Sequence, residues 1–219
     1  FLVAVMTITG LAAQSLPESD NLTIVVFGAS GRIGEVIVDV ALERGHKVIG
    51  VSRKPEKLLV RHRDFTATSG DLMDVNSITA LARGVDAIVI SISARADDNK
   101  PEHSLLVRAT GNVQAALDKL KIKPYIVQIG GANLMYGRTF REVKENMQGA
   151  SFSFDEGTAM HAVLFGHQIS LEMYQASKLS WTILAPPIKI LGIYENRDKT
   201  TTKESYRTSI SEPLIDKEG

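Results

Sequence analysis

From Thr23 onward, short runs of apolar and β-branched residues alternate with longer stretches in which apolar positions recur every three or four residues. Six of the short runs read as strands: 23–28 (TIVVFG), 47–52 (KVIGVS), 64–69 (DFTATS), 86–91 (DAIVIS), 125–130 (YIVQIG) and 181–186 (WTILAP). Most are apolar throughout rather than at every second position, the pattern of parallel strands covered on both faces. The stretch 31–45 puts Ile33, Ile37, Val40 and Ala41 on one helical face and stops at Gly45. A short helix over 74–84 opens on a capping Asp74 and closes on Gly84. The segment 101–122 starts with Pro101 and carries Leu105, Leu106, Ala109, Val113 and Leu117 down one side. Residues 157–178 read as one helix leading into the last strand. This alternation predicts the α/β class, with a Rossmann-type doubly wound parallel sheet in a single domain over 21–219. Residues 130–157 break the pattern, and so long a connection in a compact domain is expected to serve function.

The first strand runs into VVFGASGRIG, which places Gly28, Gly31 and Gly34 between a strand and a helix. A turn of this kind needs glycine for positive φ and for close backbone approach. It presents a helix amino terminus to a phosphate. In this strand–turn–helix setting the triplet predicts a nicotinamide dinucleotide as ligand, held by Gly28, Ser30, Gly31, Arg32, Ile33 and Gly34. The second strand ends VSRKPEK, with Ser52, Arg53 and Lys54 and no carboxylate where an NAD binder would hold the ribose hydroxyls. A guanidinium suits a 2′-phosphate, so NADP(H) is expected in preference to NAD(H).

Composition narrows the function classes. Lys plus Arg and Asp plus Glu both number 25, and this balance argues against a nucleic-acid partner. No apolar run is long enough for a transmembrane helix. Cysteine is absent, which removes disulfides and thiolate chemistry, and the five histidines show no metal-binding spacing, so no metal site is expected. The first 20 residues stand apart from the remainder. An apolar block, Phe1 to Ala13, passes into small and polar residues, with Ala13-Gln14-Ser15 as a small-x-small site. It reads as a secretory signal or as a short extra helix packed on the domain. The compartment follows: exported or periplasmic in the first case, cytoplasmic in the second.

GASGRIG, SRKPEK, GDLMD (70–74), AIVISI (87–92) and LSWTILAPP (179–187) occur in an order that resembles the atypical short-chain dehydrogenase/reductases. The similarity is greatest to the NmrA-like, NAD(P)H-binding group with its biliverdin/flavin reductase-like members, and it covers nearly all of residues 22–219. The resemblance implies that Asp71 and Leu72 lie by the adenine and that Ser91, Ile92 and Ser93 pass the ribose and phosphates. It also implies that Gly130 and Gly131 to Asn133 lie beside the nicotinamide, with Pro186 closing over it. Such proteins usually have a further helix beyond the point where this chain stops, so a truncated carboxyl end is expected.

Short-chain reductases usually draw their proton from a Tyr with a Lys four residues on, and Tyr174 and Lys178 have that spacing. Ligands of parallel sheets sit at the carboxyl ends of strands, so a helix feeding a strand runs away from the site. Tyr174 then lies roughly 20 Å from the helix start and is expected to be an exposed bystander. Matched to the family, the usual pair falls at Leu164 and Gln168, neither of which can play its part. His161, one turn before Leu164 on the same face, is the candidate proton donor. His167 points about 100° away from that face. Tyr136, Phe152, Leu164 and Gln168 are expected to line an acceptor pocket. These features predict an NADPH-dependent reductase of a conjugated, quinone- or flavin-like small molecule. The alternative is a non-catalytic NADP(H)-binding sensor; a nucleotide-sugar isomerase would need the missing pair.

Overall fold

The computed structural model of the chain describes residues 3–9, 21–135, 155–186 and 206–209. Its strands are β1 (Val3–Thr9), β2 (Thr23–Phe27), β3 (Lys47–Ser52), β4 (Phe65–Ser69), β5 (Ala87–Ile90), β6 (Tyr125–Ile129), β7 (Trp181–Ala185) and β8 (Tyr206–Ser209). They form one sheet in the order β4-β3-β2-β5-β6-β7-β1-β8. The strands from β2 to β7 pair in parallel throughout, the Rossmann-type arrangement. Within the apolar block near the start of the chain, Val3–Thr9 form a strand and not a helix. β1 pairs antiparallel with β7 and parallel with β8, an element for which the sequence pattern gave no sign.

Residue alternation along the central strands splits the core in two. Val25 and Phe27 of β2, with Ile88 and Ile90 of β5, face helices α2 (Val75–Leu81), α3 (Leu105–Leu117) and α4 (Ala159–Gln175). Val26 and Val89 face the other way, against Val38, Ala41 and Leu42 of α1 (Arg32–Glu43). Each fully buried aliphatic side chain contributes about 1.5–3 kcal/mol.

The buried stripe of α1 is Gly34, Val38, Ala41 and Leu42, while Ile33, Ile37 and Val40 are only half-buried. The face is therefore turned by one residue, about 100°, from the one expected. Close contact between Gly34 and the preceding turn sets the helix rotation, at the expense of full burial for the isoleucines. On the opposite face, Thr110 of α3, Gln128 of β6 and Ser170 of α4 satisfy one another. The Thr110 and Ser170 hydroxyls are 2.7 Å apart, and Gln128 Nε2 donates to Ser170 Oγ at 2.8 Å. This buried cluster ties both helices to β6 and so fixes where its carboxyl end lies against α4.

The chain builds outward from β2 through β3 to β4, then returns to place β5 on the other side of β2. A crevice therefore opens between the carboxyl ends of β2 and β5, where open α/β sheets bind their ligands. No helix among the described residues is long and apolar enough to cross a membrane.

Candidate functional site at the carboxyl edge of the sheet

The crevice is floored by the turn between β2 and α1. Gly28 has φ +80°, and a Cβ on it would collide with the Ser91 carbonyl oxygen just past β5. A Cβ on Gly34 would collide with the Gly28 carbonyl oxygen and stand 2.8 Å from its carbon. The two glycines thus let α1 begin directly against the ends of β2 and β5. Gly31 precedes α1 and no side chain caps the helix. The first-turn amides and the positive end of the helix dipole are therefore directed at the crevice, an arrangement that favours an anion such as a diphosphate.

Polar groups gather around this floor. Ser30 Oγ and Ser52 Oγ are 3.2 Å apart, joining the Gly-rich turn to the end of β3. Ser52 Oγ also accepts from the Lys54 amide at 3.2 Å. Arg53 and Lys54 project into solvent, and among the described residues neither has a carboxylate partner. Arg32 is likewise exposed on the turn and Ile33 half-buried beside it.

The backbone of the segment after β4 is held by side chains. The Asp71 amide donates to Ser77 Oγ at 3.2 Å, Asp71 Oδ1 accepts from the Met73 amide at 2.9 Å, and the Leu72 carbonyl accepts from Asn112 Nδ2 at 2.9 Å. The Leu72 side chain belongs to the core, so of this pair Asp71 alone presents a side chain to solvent. Beyond β5, Ser91 and Ile92 are half-buried and Ser93 is exposed, its hydroxyl accepting from the Arg95 amide at 3.2 Å. Gly130 follows β6 and Pro186 follows β7, and the Gly130 amide donates to the Leu184 carbonyl of β7 at 2.8 Å. Every glycine and polar residue singled out from the strand ends thus lies on one edge of the sheet.

On α4 the placement differs from expectation in two respects. His161 is half-buried, its ring 4.6 Å from that of Phe165. Leu164 and Gln168 are buried, and Gln168 Nε2 donates to Glu172 at 3.3 Å. His167, expected to point away, is buried with its ring over Gly131. A Cβ on that glycine would touch Asn133 Oδ1 and lie 2.6 Å from His167 Cδ2. Asn133 is anchored in turn by Nδ2 donation to the Leu164 carbonyl at 2.9 Å. Burial lowers the His167 pKa to about 4, so the imidazole is neutral at physiological pH. The Gly130-Gly131 pair at a strand end, facing a helix that carries a bulky polar ring, was the overlooked clue: the missing side chain makes room for the ring.

The second departure is Tyr174, which is buried and not exposed. Its ring stacks on Trp181 at 5.6 Å, at the amino end of β7, the end of the sheet opposite the crevice. Burial raises the phenol's pKa well above its usual value, offset only in part by the Thr110 side chain. Lys178 is exposed beyond the end of α4. The phenol and the ammonium therefore occupy different environments, both away from the crevice. Tyr136 and Phe152 lie outside the described residues. Among the described residues, no group of three or more side chains could hold a metal ion.

Comparison with known proteins agrees with this geometry. A family model described as NAD(P)H-binding matches residues 28–212. Cinnamoyl-CoA reductase 2 of Arabidopsis thaliana is 25% identical in an alignment 186 positions long that covers 79% of this chain and 56% of that protein; the chain spans little more than half its relative's length. The Bordetella bronchiseptica enzyme WbmH, solved in complex with NAD+, has a TM-score of 0.52 at 22% identity, over 73% of this chain and 53% of its own. A Burkholderia pseudomallei protein described as a candidate exported protein has a TM-score of 0.53 at 26% identity, over 73% of this chain and 69% of its own. The likeness to WbmH is one of fold.

Proposed function

Because the chain belongs to the NAD(P)H-binding family, we propose that it is an NADPH-dependent reductase acting on a conjugated, quinone- or flavin-like small molecule. The observation that carries the cofactor preference is the end of β3. Ser52 lies against Ser30, and the exposed Arg53 and Lys54 follow where a carboxylate would select the unphosphorylated ribose. Gly28 and Gly34 let the turn close directly against β2 and β5, and the amino end of α1 that this brings to the crevice, with no side chain capping it, suits the diphosphate. Ser91 to Ser93 border the ribose, Asp71 the adenine, and Gly130, Gly131 and Pro186 the nicotinamide.

The bound cofactor supplies hydride, and the protein supplies orientation and exclusion of water. The acceptor class follows from what α4 lacks. Leu164 carries no ionisable group and Gln168 is engaged with Glu172, so neither assists as a tyrosine and lysine would. An acceptor whose reduced form spreads its charge by conjugation has least need of that assistance. His161, beside Phe165 on the first turn, contributes to the pocket wall. The same absence suits the second reading, a sensor that binds NADP(H) without turnover.

Purified protein mixed with NADPH and a flavin, a quinone or an aldehyde decides between the readings. Loss of reduced-nicotinamide absorbance with the flavin or quinone is the expected result. Tight NADPH binding with no oxidation by any acceptor would show the sensor instead. Equal affinity for NADH and NADPH would overturn the role given to Arg53.

A further inference from the structure

On the same edge lies a second arrangement of titratable groups. The loop between β5 and α3 holds His103 Nδ1 and Asp98 Oδ2 2.7 Å apart, with both side chains about half exposed. The loop is stitched at its base by the Leu105 amide donating to the Arg95 carbonyl at 2.8 Å, and it is anchored by the buried Ala94 and Ala96. Asp98 Oδ1 accepts from the Lys100 amide at 3.2 Å, and Asn99 between them takes φ 58°, in the left-handed region. Its 3-10 turn, Pro101–His103, packs on α4. The next residue, Ser104, meets the amino-terminal half of that helix, where a Cβ on Gly166 would lie 2.6 Å from Ser104 Oγ. The dyad therefore stands on the loop that leaves the carboxyl end of β5 just past Ser91, with its 3-10 turn packed against α4.

We propose that His103, oriented by Asp98, is the proton donor to the acceptor; this rests on the reductase reading above. A carboxylate on Nδ1 fixes the ring and turns Nε2 outward. Asp98 is suited to this, because its hydrogen bond to His103 holds the carboxyl below the usual range and keeps it ionised. The other histidines of this edge are placed differently: His161 packs on Phe165, and His167 is enclosed against Gly131. When hydride reaches the conjugated system, the displaced electron pair settles on a carbonyl oxygen. His103 gives that oxygen its Nε2 proton while Nδ1 keeps the hydrogen it shares with Asp98, and Nε2 then takes up a proton (H+) from solvent, the one proton the reduction consumes. The acceptor gains two electrons and two hydrogens, and the nicotinamide is oxidised.

His103→Ala is expected to lower kcat for a quinone about a hundredfold while leaving the Kd for NADPH unchanged, and added imidazole to restore part of the rate. Asp98→Asn should lose less and show no imidazole rescue. A second readout does not depend on turnover. Adding NADP+ and a non-reducible quinone analogue to the wild-type protein should move the NMR signals of the His103 ring. Full activity in His103→Ala, or an unmoved His103 signal, overturns the dyad and leaves the reductase reading in place. A wild-type protein that binds NADPH and reduces nothing overturns both.

Discussion

At the residue scale, two buried rings have opposite consequences. The His167 pKa falls from 6.5 in the unfolded chain to about 4 in the folded one. The unfolded state therefore takes up its proton first as pH drops. The cost to stability is absent above pH 6.5, grows through the interval, and is complete near pH 4, where it amounts to about 3 kcal/mol. Thermal melts should show this loss above the pH range where carboxylates titrate, and His167→Gln should flatten it. Tyr174 has a hydroxyl but lies away from the crevice, stacked on Trp181 at the far end of the sheet. Tyr174→Phe is expected to keep kcat within about twofold and stability within about 1 kcal/mol of wild type. A large loss of activity in that variant would return Tyr174 to the site. The Tyr–Lys spacing was visible in the sequence, and so was its distance from the crevice. Its burial was not, because the partner, Trp181, enters from the next strand.

At the scale of elements, the β2–α1 unit was the most legible. A strand, a glycine turn and a helix are local events, decided by φ preferences and by a periodicity that 15 or so residues display. The rotation of α1 was less so. Maximum apolar burial would have turned Ile33 and Ile37 inward, but the contact of Gly34 with the Gly28 carbonyl takes precedence. Gly34→Ala is accordingly predicted to push α1 away from β2. The expected cost is about 1–3 kcal/mol of stability, with at least a tenfold loss of dinucleotide affinity, measured by denaturant unfolding and by titration calorimetry. Unchanged affinity in a folded Gly34→Ala protein would show that the turn does not hold the ligand.

At the scale of the whole molecule, the ligand should act as a staple across the carboxyl ends of β3, β2 and β5, strands that pair side by side and end together at the crevice. NADPH at about a hundred times its Kd stabilises by about 2.7 kcal/mol, enough to raise the Tm by roughly 5–10 °C in a chain of this size. The same concentration of NADH should give a smaller shift, and Arg53→Asp should reverse the order. The sequence by itself determined the strands from Thr23 to Ala185, their helices, the fold class and the glycine turn. Each of these is written in neighbouring residues and in backbone preferences that act over a few ångströms. Tertiary structure alone decided that Val3–Thr9 joins the sheet beside β7, that His167 rests on Gly131, and that Asp98 meets His103 on a loop leaning against α4. These depend on which surfaces come together once the sheet is assembled, and hydrophobic periodicity carries no record of what a residue will meet across a distant contact.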